Sequence, residues 1–502
     1  MRSLLLAVLG FLCCTYCFTP AYSQMNEATF ESSGLVVNWQ ANIGGSPLAH
    51  GNSSFVIWPH SQRKLEQVRV KVGGRLIGAF RGDEIDESKL ESAVIDGTKD
   101  TKLPRLGLEG AKVKAEKLAK TYRTLGKDVT IESEAPNLTY LITLSASGFV
   151  TAMNAETGAL IWQNRVTDAS LPMFGPGVSD DYVVVVNGQN YFVFDLETGS
   201  IISNRRLQFI ATGSPTVING KAMVPSVGGR LVAYDIKDPL VNAPQVIRVG
   251  GENRLGLTVS NDQKFVSWPA DNRLIIAKTD NGFSLWNAVQ GTSAVVALPA
   301  AVDDGFVFCT QAGRVIKTRS SNRENAMAWR TDLGITTNKS PVVGKKHASI
   351  VSEDGYLFLL NLSDGKEAWT LPARGINSVL GISESKLYAI DAARQLVMID
   401  VASGKSLGHI PIALVNPMSN SINDRLYVCS NNGQITCLRE VDATLPTMTI
   451  SGPAKAEESP GKPVESAPQQ PPPAAPSEDP FGSSTTESSQ ASDDPFATKD
   501  PF

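Results

Sequence analysis

Eight times between Leu138 and Val441 the chain repeats one phrase, and no other feature limits its fold so tightly. The fullest copies run from Leu141 to Trp162 (LITLSASGFVTAMNAETGALIW), Ile350 to Trp369 (IVSEDGYLFLLNLSDGKEAW) and Leu387 to Gly408 (LYAIDAARQLVMIDVASGKSLG). Set in register on the residue eight places before the tryptophan, the copies fall at Asn154, Asp195, Asp235, Lys278, Ser321, Asn361, Asp400 and Arg439, spaced by 39 to 43 residues. A period of that length belongs to a propeller blade.

Each copy divides into four strands. A small residue and proline open the innermost, as in Ser214-Pro-Thr-Val-Ile and Ser340-Pro-Val-Val, because proline is tolerated where a strand begins. Turns such as Asn219-Gly220 and Asp304-Gly305 supply the positive φ of a short hairpin. A second apolar run, a second turn (Asp354-Gly355, Asn432-Gly433) and a third strand follow. The last turn, carrying Gly158, Gly199, Gly282, Gly365 or Gly404, leads to the outer strand. Four antiparallel strands bury both faces only when neighbouring sheets stack on them, so the spacing predicts an all-β, eight-bladed propeller.

Trp162, Trp286 and Trp369 each stand four residues after Gly158, Gly282 and Gly365, and Trp329 occupies the same register. A flat ring repeated at one position suits docking between adjacent sheets, and these four are read as core, not as ligand-binding aromatics. None precedes an aspartate, unlike the WD type of blade. Trp268 falls outside the register.

The segment Ala152-Met-Asn-Ala-Glu-Thr-Gly-Ala-Leu-Ile-Trp162, echoed by Leu359-Leu-Asn-Leu-Ser-Asp-Gly-Lys-Glu-Ala-Trp369, resembles the blade motif of the pyrroloquinoline-quinone-like repeat family. That resemblance implies a propeller. It implies either of two functions, since the family holds quinoprotein dehydrogenases and non-catalytic propellers of the BamB-like branch. A dehydrogenase would clamp the quinone, hold Ca²⁺ on carboxylate and amide oxygens, and carry an aspartate base. Its alcohol-oxidising members also carry adjacent, disulfide-bonded cysteines, and the mature chain has no such pair. Nor does it have a haem-attachment or EF-hand signature,. Its histidines are His50, His60, His347 and His409, and most of its blade aspartates stand at turns. The expectation is a chain that is not an enzyme and has no catalytic, cofactor or metal residues. Ser61-Gln-Arg-Lys64 meets the Ser-x-x-Lys pattern but lies in a polar stretch.

The ends differ in composition from the repeats. Arg2, the apolar run Leu4 to Leu12 and Ala21-Tyr-Ser23 before Gln24 predict an export signal cleaved between Ser23 and Gln24, too short to span a membrane. Leu12 before Cys13 and Tyr16 before Cys17 do not fit a lipidation box. Cys309, Cys429 and Cys437 remain after cleavage and are read as buried thiols, with a Cys429–Cys437 disulfide as the alternative. Residues 24–135 read as an N-terminal α/β segment, with strands at Leu35 to Trp39, Phe55 to Trp58, Val68 to Val72 and Asp128 to Ile131 and a helix from about Glu109 to Arg123,. Its lysines are read as a solvated face, not as a lipid patch. The last repeat lacks a tryptophan strand, so an N-terminal strand is expected to complete it. Leu35 to Trp39 is the first candidate and Asp128 to Glu134 the second.

Residues 136–442 then form the propeller, and 443–502 a Pro/Ser-rich tail with nine acidic and three basic residues. Such a segment cannot bury enough surface to offset its ordering entropy, so it is read as disordered and without effect on propeller stability. It carries Asp479-Pro480-Phe481, Asp494-Pro495-Phe496 and Asp500-Pro501-Phe502, a repetition that permits avid docking of short motifs. With a net charge of −4 overall, nothing points to nucleic acid. The reading is a monomeric, exported, non-catalytic scaffold of the periplasm or cell envelope of a Gram-negative-type bacterium, with BamB-like help in outer-membrane protein assembly. Its partners are envelope proteins met through rim loops and the tail. The alternatives are a quinone-dependent dehydrogenase using Ca²⁺ and a propeller that binds cell-wall carbohydrate.

Overall fold

The computed structural model describes residues 30–43, 54–82, 84, 86 and 105–449, apart from breaks at 167, 169, 239–241, 249, 280–282, 413–414 and 444–445. Ser23, Gln24, Gly282 and the three Asp-Pro-Phe copies therefore lie outside the described residues.

Eight sheets form an eight-bladed propeller, seven of them with four strands, a to d from the inside outward, and blade 6 with three. The middle strands are largely apolar and buried between their ends. Val183, Val184, Val185 and Val186 of blade 2 are all fully buried, as a sheet sandwiched between two neighbours requires. The period is also written between blades. The hydroxyl of Thr212 donates to the carbonyl of Asn253 at 2.6 Å, that of Thr216 to Leu257 at 3.3 Å and that of Thr258 to Pro299 at 2.8 Å, each 41 residues on. Blade 6 is the irregular one. Its outer edge is reduced to isolated bridges, Leu360 with Glu367 and Leu357 with Ala373, around Pro372, which has no N–H to offer a ladder.

The segment before residue 136 is not a separate unit, so a boundary at 135/136 does not follow the sheets. Strand β1 (Leu35–Asn42) is strand d of blade 8, paired antiparallel with Gln434–Glu440. Strand β2 (Phe55–Lys64) is strand a of blade 1, paired with β6 (Asn137–Leu144). Between them the a–b connection of blade 1 expands into a small layer of its own. Strands β3 (Gln67–Val72), β4 (Arg75–Arg81) and β5 (Val129–Glu134) form a sheet in the order β4-β3-β5, and helix α1 (Gly107–Thr124) lies across it. Val68 and Val70 meet Leu106, Ala111, Ala115 and Ala119 in that interface. Gly78 lets the helix approach: a Cβ there would lie 2.6 Å from Leu118 Cδ2. Asp128 to Glu134, the second candidate for closure, belongs to this layer. The insertion explains why Phe55 to Trp58 carries no repeat phrase, since its partner strand resumes only at Asn137.

The antiparallel order gives the ring two faces. The a–b and c–d connections lie on the lower face, the b–c turns and d–a connections on the upper. On the lower face, residues assigned to the tail by composition join the propeller. Asn423 bridges Met448, Asp424 N–H donates to Thr447 O at 3.2 Å, and Thr449 N–H donates to Ile422 O at 2.8 Å.

Candidate interaction surfaces

The tryptophans dock on the following blade. Trp162 is buried, its ring stacked 5.8 Å from Phe194, and its indole N–H donates to Leu196 O at 2.7 Å. Trp329 donates to Leu362 O at 3.0 Å and Trp369 to Val401 O at 2.7 Å. In each case the acceptor is the residue after the register position, and the turn glycine lies under the ring. A Cβ on Gly199 would stand 2.5 Å from Trp162, one on Gly365 2.5 Å from Trp329 and one on Gly404 2.8 Å from Trp369. Trp39 of β1 is a further member: it donates to Ala155 O at 2.9 Å and covers Gly158, where a Cβ would stand 2.5 Å from its ring. Sequence reasoning placed its strand but missed its role, because no c–d turn precedes it in the chain.

Trp286 departs from the set. Its indole N–H has no hydrogen-bond partner among the described residues, and the ring lies under Lys278 Nζ at 4.0 Å and Arg323 at 5.7 Å. The cause is the turn of blade 5, where Thr318 pairs with Met327, whereas Met153 pairs with Leu160 in blade 1. That turn is two residues longer and holds no glycine, so Ser321 sits inside it instead of at its start. Trp268, outside the register, is buried in strand b of blade 4 beside Leu231 and Ile275.

Several carboxylates at blade turns are spent on backbone. Asp195 Oδ1 takes the amides of Glu197 and Thr198 at 3.1 and 2.8 Å, Asp304 those of Ser320 and Ser321 at 3.0 Å, and Asp400 that of Ser403 at 2.8 Å. The hydroxyl bond of Ser403 and its amide hold the Asp400 carboxyl below the usual carboxylate range. Ser61 donates to the Asp180 carboxylate while Lys64 reaches Asn137, so the Ser-x-x-Lys pair serves two separate contacts. His60 is buried, and its Nδ1 accepts the amides of Gln62 and Arg63. Burial lowers its pKa, opposed by the charge of Asp180. Cys309, Cys429 and Cys437 are buried, and none of the three is in a disulfide; burial pushes the thiols of Cys309 and Cys437 well up.

One chemistry-bearing group lies deep, at the seam between blades 8 and 1. Arg425, fully buried, forks onto Glu156, with Nε–Oε2 and Nη2–Oε1 both 2.8 Å, and its Nη1 reaches Asp424 at 3.0 Å. Burial acts against the Arg425 charge, but Glu156 and Asp424 outweigh it, so its pKa rises. Asn38 of β1 donates to Glu156 O at 2.7 Å, and Asp424 accepts the Thr447 amide at 3.1 Å. The seam therefore joins blade 1, blade 8, the N-terminal strand and the C-terminal segment.

The lower face also holds an open cleft of about 340 Å³ between the turns of blades 2 and 3, lined by Asp181, Tyr182, Asn219, Asp235, Lys237 and Asp238 among others. Among the described residues no three His, Cys, Asp or Glu side chains converge as a metal site would need, and no helix is long and apolar enough to cross a membrane.

Blade count, repeat and tryptophan docking define a β-propeller of the pyrroloquinoline-quinone-like repeat class. The family model described as outer membrane protein assembly factor BamB matches residues 146–242 and 270–454, and the chain belongs to that family. Among solved structures, BamB from Moraxella catarrhalis is similar at 18% identity and a TM-score of 0.49, over 60% of this chain and 91% of that one. The computationally designed Ika8 protein is similar at 13% identity and a TM-score of 0.47, over 59% of this chain and 92% of that one. No curated protein sequence matches the chain.

Proposed function

We propose that this chain is a non-catalytic, exported propeller that works as a single-copy, rigid platform for protein partners in the bacterial envelope and takes part in outer-membrane protein assembly. The observation that carries this reading is membership of the family described by that assembly factor, joined to a ring in which turn carboxylates such as Asp195, Asp304 and Asp400 are committed to backbone amides. Rigid blades hold connecting loops in fixed positions, which is what a platform requires. The export signal ending at Ser23, without lipidation, and a second contact through the Asp-Pro-Phe tail complete the proposal.

The quinone cofactor does not fit the side chains described. It needs clustered carboxylates for its Ca²⁺, and among the described residues the buried acids Glu156 and Asp424 are both engaged by Arg425. Two measurements test the reading. Affinity capture with reversible crosslinking from an envelope extract should recover outer-membrane assembly components. Quinone plus Ca²⁺ should neither shift melting nor support dye reduction with alcohols or sugars. A cofactor bound only by the folded state at a hundred times its Kd would add about 2.7 kcal/mol, so a clear shift with turnover would bring the dehydrogenase reading forward.

A further inference from the structure

We propose that the upper rim of blades 1 to 4 binds an extended acidic polypeptide, an inference that rests on the platform reading and gives its partner a chemistry. On the upper face the first residue of strand c stands opposite the last residue of strand d. In blade 5 that pair is Arg314 and Asp332, a fork with contacts of 2.5 and 3.1 Å that neutralises itself. In blades 1 to 4 the same place holds Phe149 with Arg165, Asn190 with Arg206, Arg230 with Arg248, and Arg273 with Gln290. Among the described residues none of these five arginines forms an ion pair, whereas Arg254, in the next connection, is held by Glu252 at 2.8 Å.

The pair Arg230 and Arg248 is the telling one. Two guanidinium groups directly opposite each other across antiparallel strands repel, so the sheet would be more stable with an acid at either place, as blade 5 has. Neutral groups hold three of the five: Arg206 donates to Gln189 Oε1 at 2.7 Å, Arg230 donates to Val227 O at 2.9 Å, and Arg230 and Arg165 lie over aromatic rings. Arg230 lies 4.8 Å over Phe209 and Arg165 5.5 Å over Phe149. The other carboxylates of this stretch are Asp168, whose Oδ1 already takes the amide and hydroxyl of Ser170, and Asp271.

Aliphatic side chains lie between the charges. Leu171 and Ile210, in the connections on either side of blade 2, are 41% and 55% exposed, and Val246 of blade 3 is 37% exposed. Guanidinium forks match carboxylates in two-point contacts, and an apolar side chain from the same ligand would cover Ile210. A polypeptide that alternates acidic and apolar residues supplies both. A uniform polyanion supplies only the first.

The test is fluorescence anisotropy on the full chain. The probe is a labelled synthetic peptide alternating glutamate with leucine and phenylalanine, run beside its glutamine analogue, a single-stranded oligonucleotide and phosphatidylglycerol vesicles. The acidic peptide should bind with an affinity that falls as salt rises, and the glutamine analogue should not bind. Arg248→Glu should weaken binding about tenfold while melting no lower than the parent, because it relieves the repulsion with Arg230. Arg314→Gln, on a pair already neutralised, should leave binding unchanged. Equal binding by Arg248→Glu, absence of peptide binding, or stronger binding of the oligonucleotide or vesicles would overturn the proposal. Envelope proteins captured equally by the parent and by Arg248→Glu would overturn it too, yet leave the platform reading standing with its site elsewhere.

Discussion

Replacing Gly199 by alanine introduces two separate costs that a double-mutant cycle can pull apart. The backbone there has φ near +70°, where a side chain costs roughly 1–2 kcal/mol. The new Cβ would also stand 2.5 Å from Cδ2 of Trp162, an overpacking that costs about 1–3 kcal/mol more. Trp162→Ala alone should cost about 3–5 kcal/mol, because it empties a buried position and strips the Leu196 carbonyl of its indole donor,. In the double variant the clash has no partner, so of the two costs of alanine at Gly199 only the backbone one is added to the loss of the ring. The two effects should therefore fall short of their sum by about 1–3 kcal/mol. Thermal melting reads this directly, at roughly 2–4 °C per kcal/mol for domains somewhat smaller than this one. Additivity within about 0.5 kcal/mol would refute the claim that the ring seats on the glycine.

Other expectations follow from the seam and the core. Glu156→Ala leaves the Arg425 charge buried beside Asp424 alone and should cost about 3–5 kcal/mol, whereas the joint change Glu156→Leu, Arg425→Met and Asp424→Asn, which leaves no buried charge behind, should recover most of it in denaturant titration,. Deleting residues 24–45 removes β1 with Trp39 and should lower the melting temperature by several degrees; unchanged melting would mean that β1 does not close the ring. A chain ending at Thr449 should melt like the parent, while one ending at Asp442 should melt lower, since it loses the pairing of Thr447 and Thr449 with Asp424 and Ile422. Because burial raises the Cys309 and Cys437 thiols, both stay protonated in the folded protein at mildly alkaline pH. A thiol reagent at that pH should label neither of them until denaturant is added.

The repeat was legible because a c–d turn and its tryptophan lie within one stretch of about ten residues. Asn154, Asp195, Asp400 and the glycines after them carry that signal in every regular blade, and the rings land where their spacing requires. The signal weakens wherever the chain departs from one blade after another. Trp286 keeps its distance from Gly282, yet its seat is decided by blade 5, whose turn was lengthened without a glycine; no reading of blade 4 alone could show that. Strand β2 was read as part of a separate segment because the insertion holds it apart from β6. The fork between Arg425 and Glu156 spans 269 residues and leaves no local pattern, since an arginine in a polar turn reads as solvated. The arginines of the upper rim were visible as letters only; what they face across the sheet is a matter of register.

The position of the seam follows from how the ring is made. A radial array built from one chain must close on itself, and here it closes inside blade 8, where Gln434–Glu440 and β1 come from opposite ends of the sequence and are joined only by non-covalent contacts. Three devices are concentrated at that place: β1 supplies the missing outer strand, Trp39 repeats the docking of an ordinary blade, and Arg425 forks across to Glu156. The C-terminal segment joins the same network through Thr447 and Asp424. A buried ion pair adds little net stability against an apolar pair of equal size, but its geometry admits one partner and one register. At a joint that must select β1 over β5, two strands of similar length from the same region, that selectivity is the useful property. At blades 8 and 1 the lower face is thereby committed to closure and to the inserted layer, while the proposed partner surface on the upper face lies on blades 1 to 4, away from that joint.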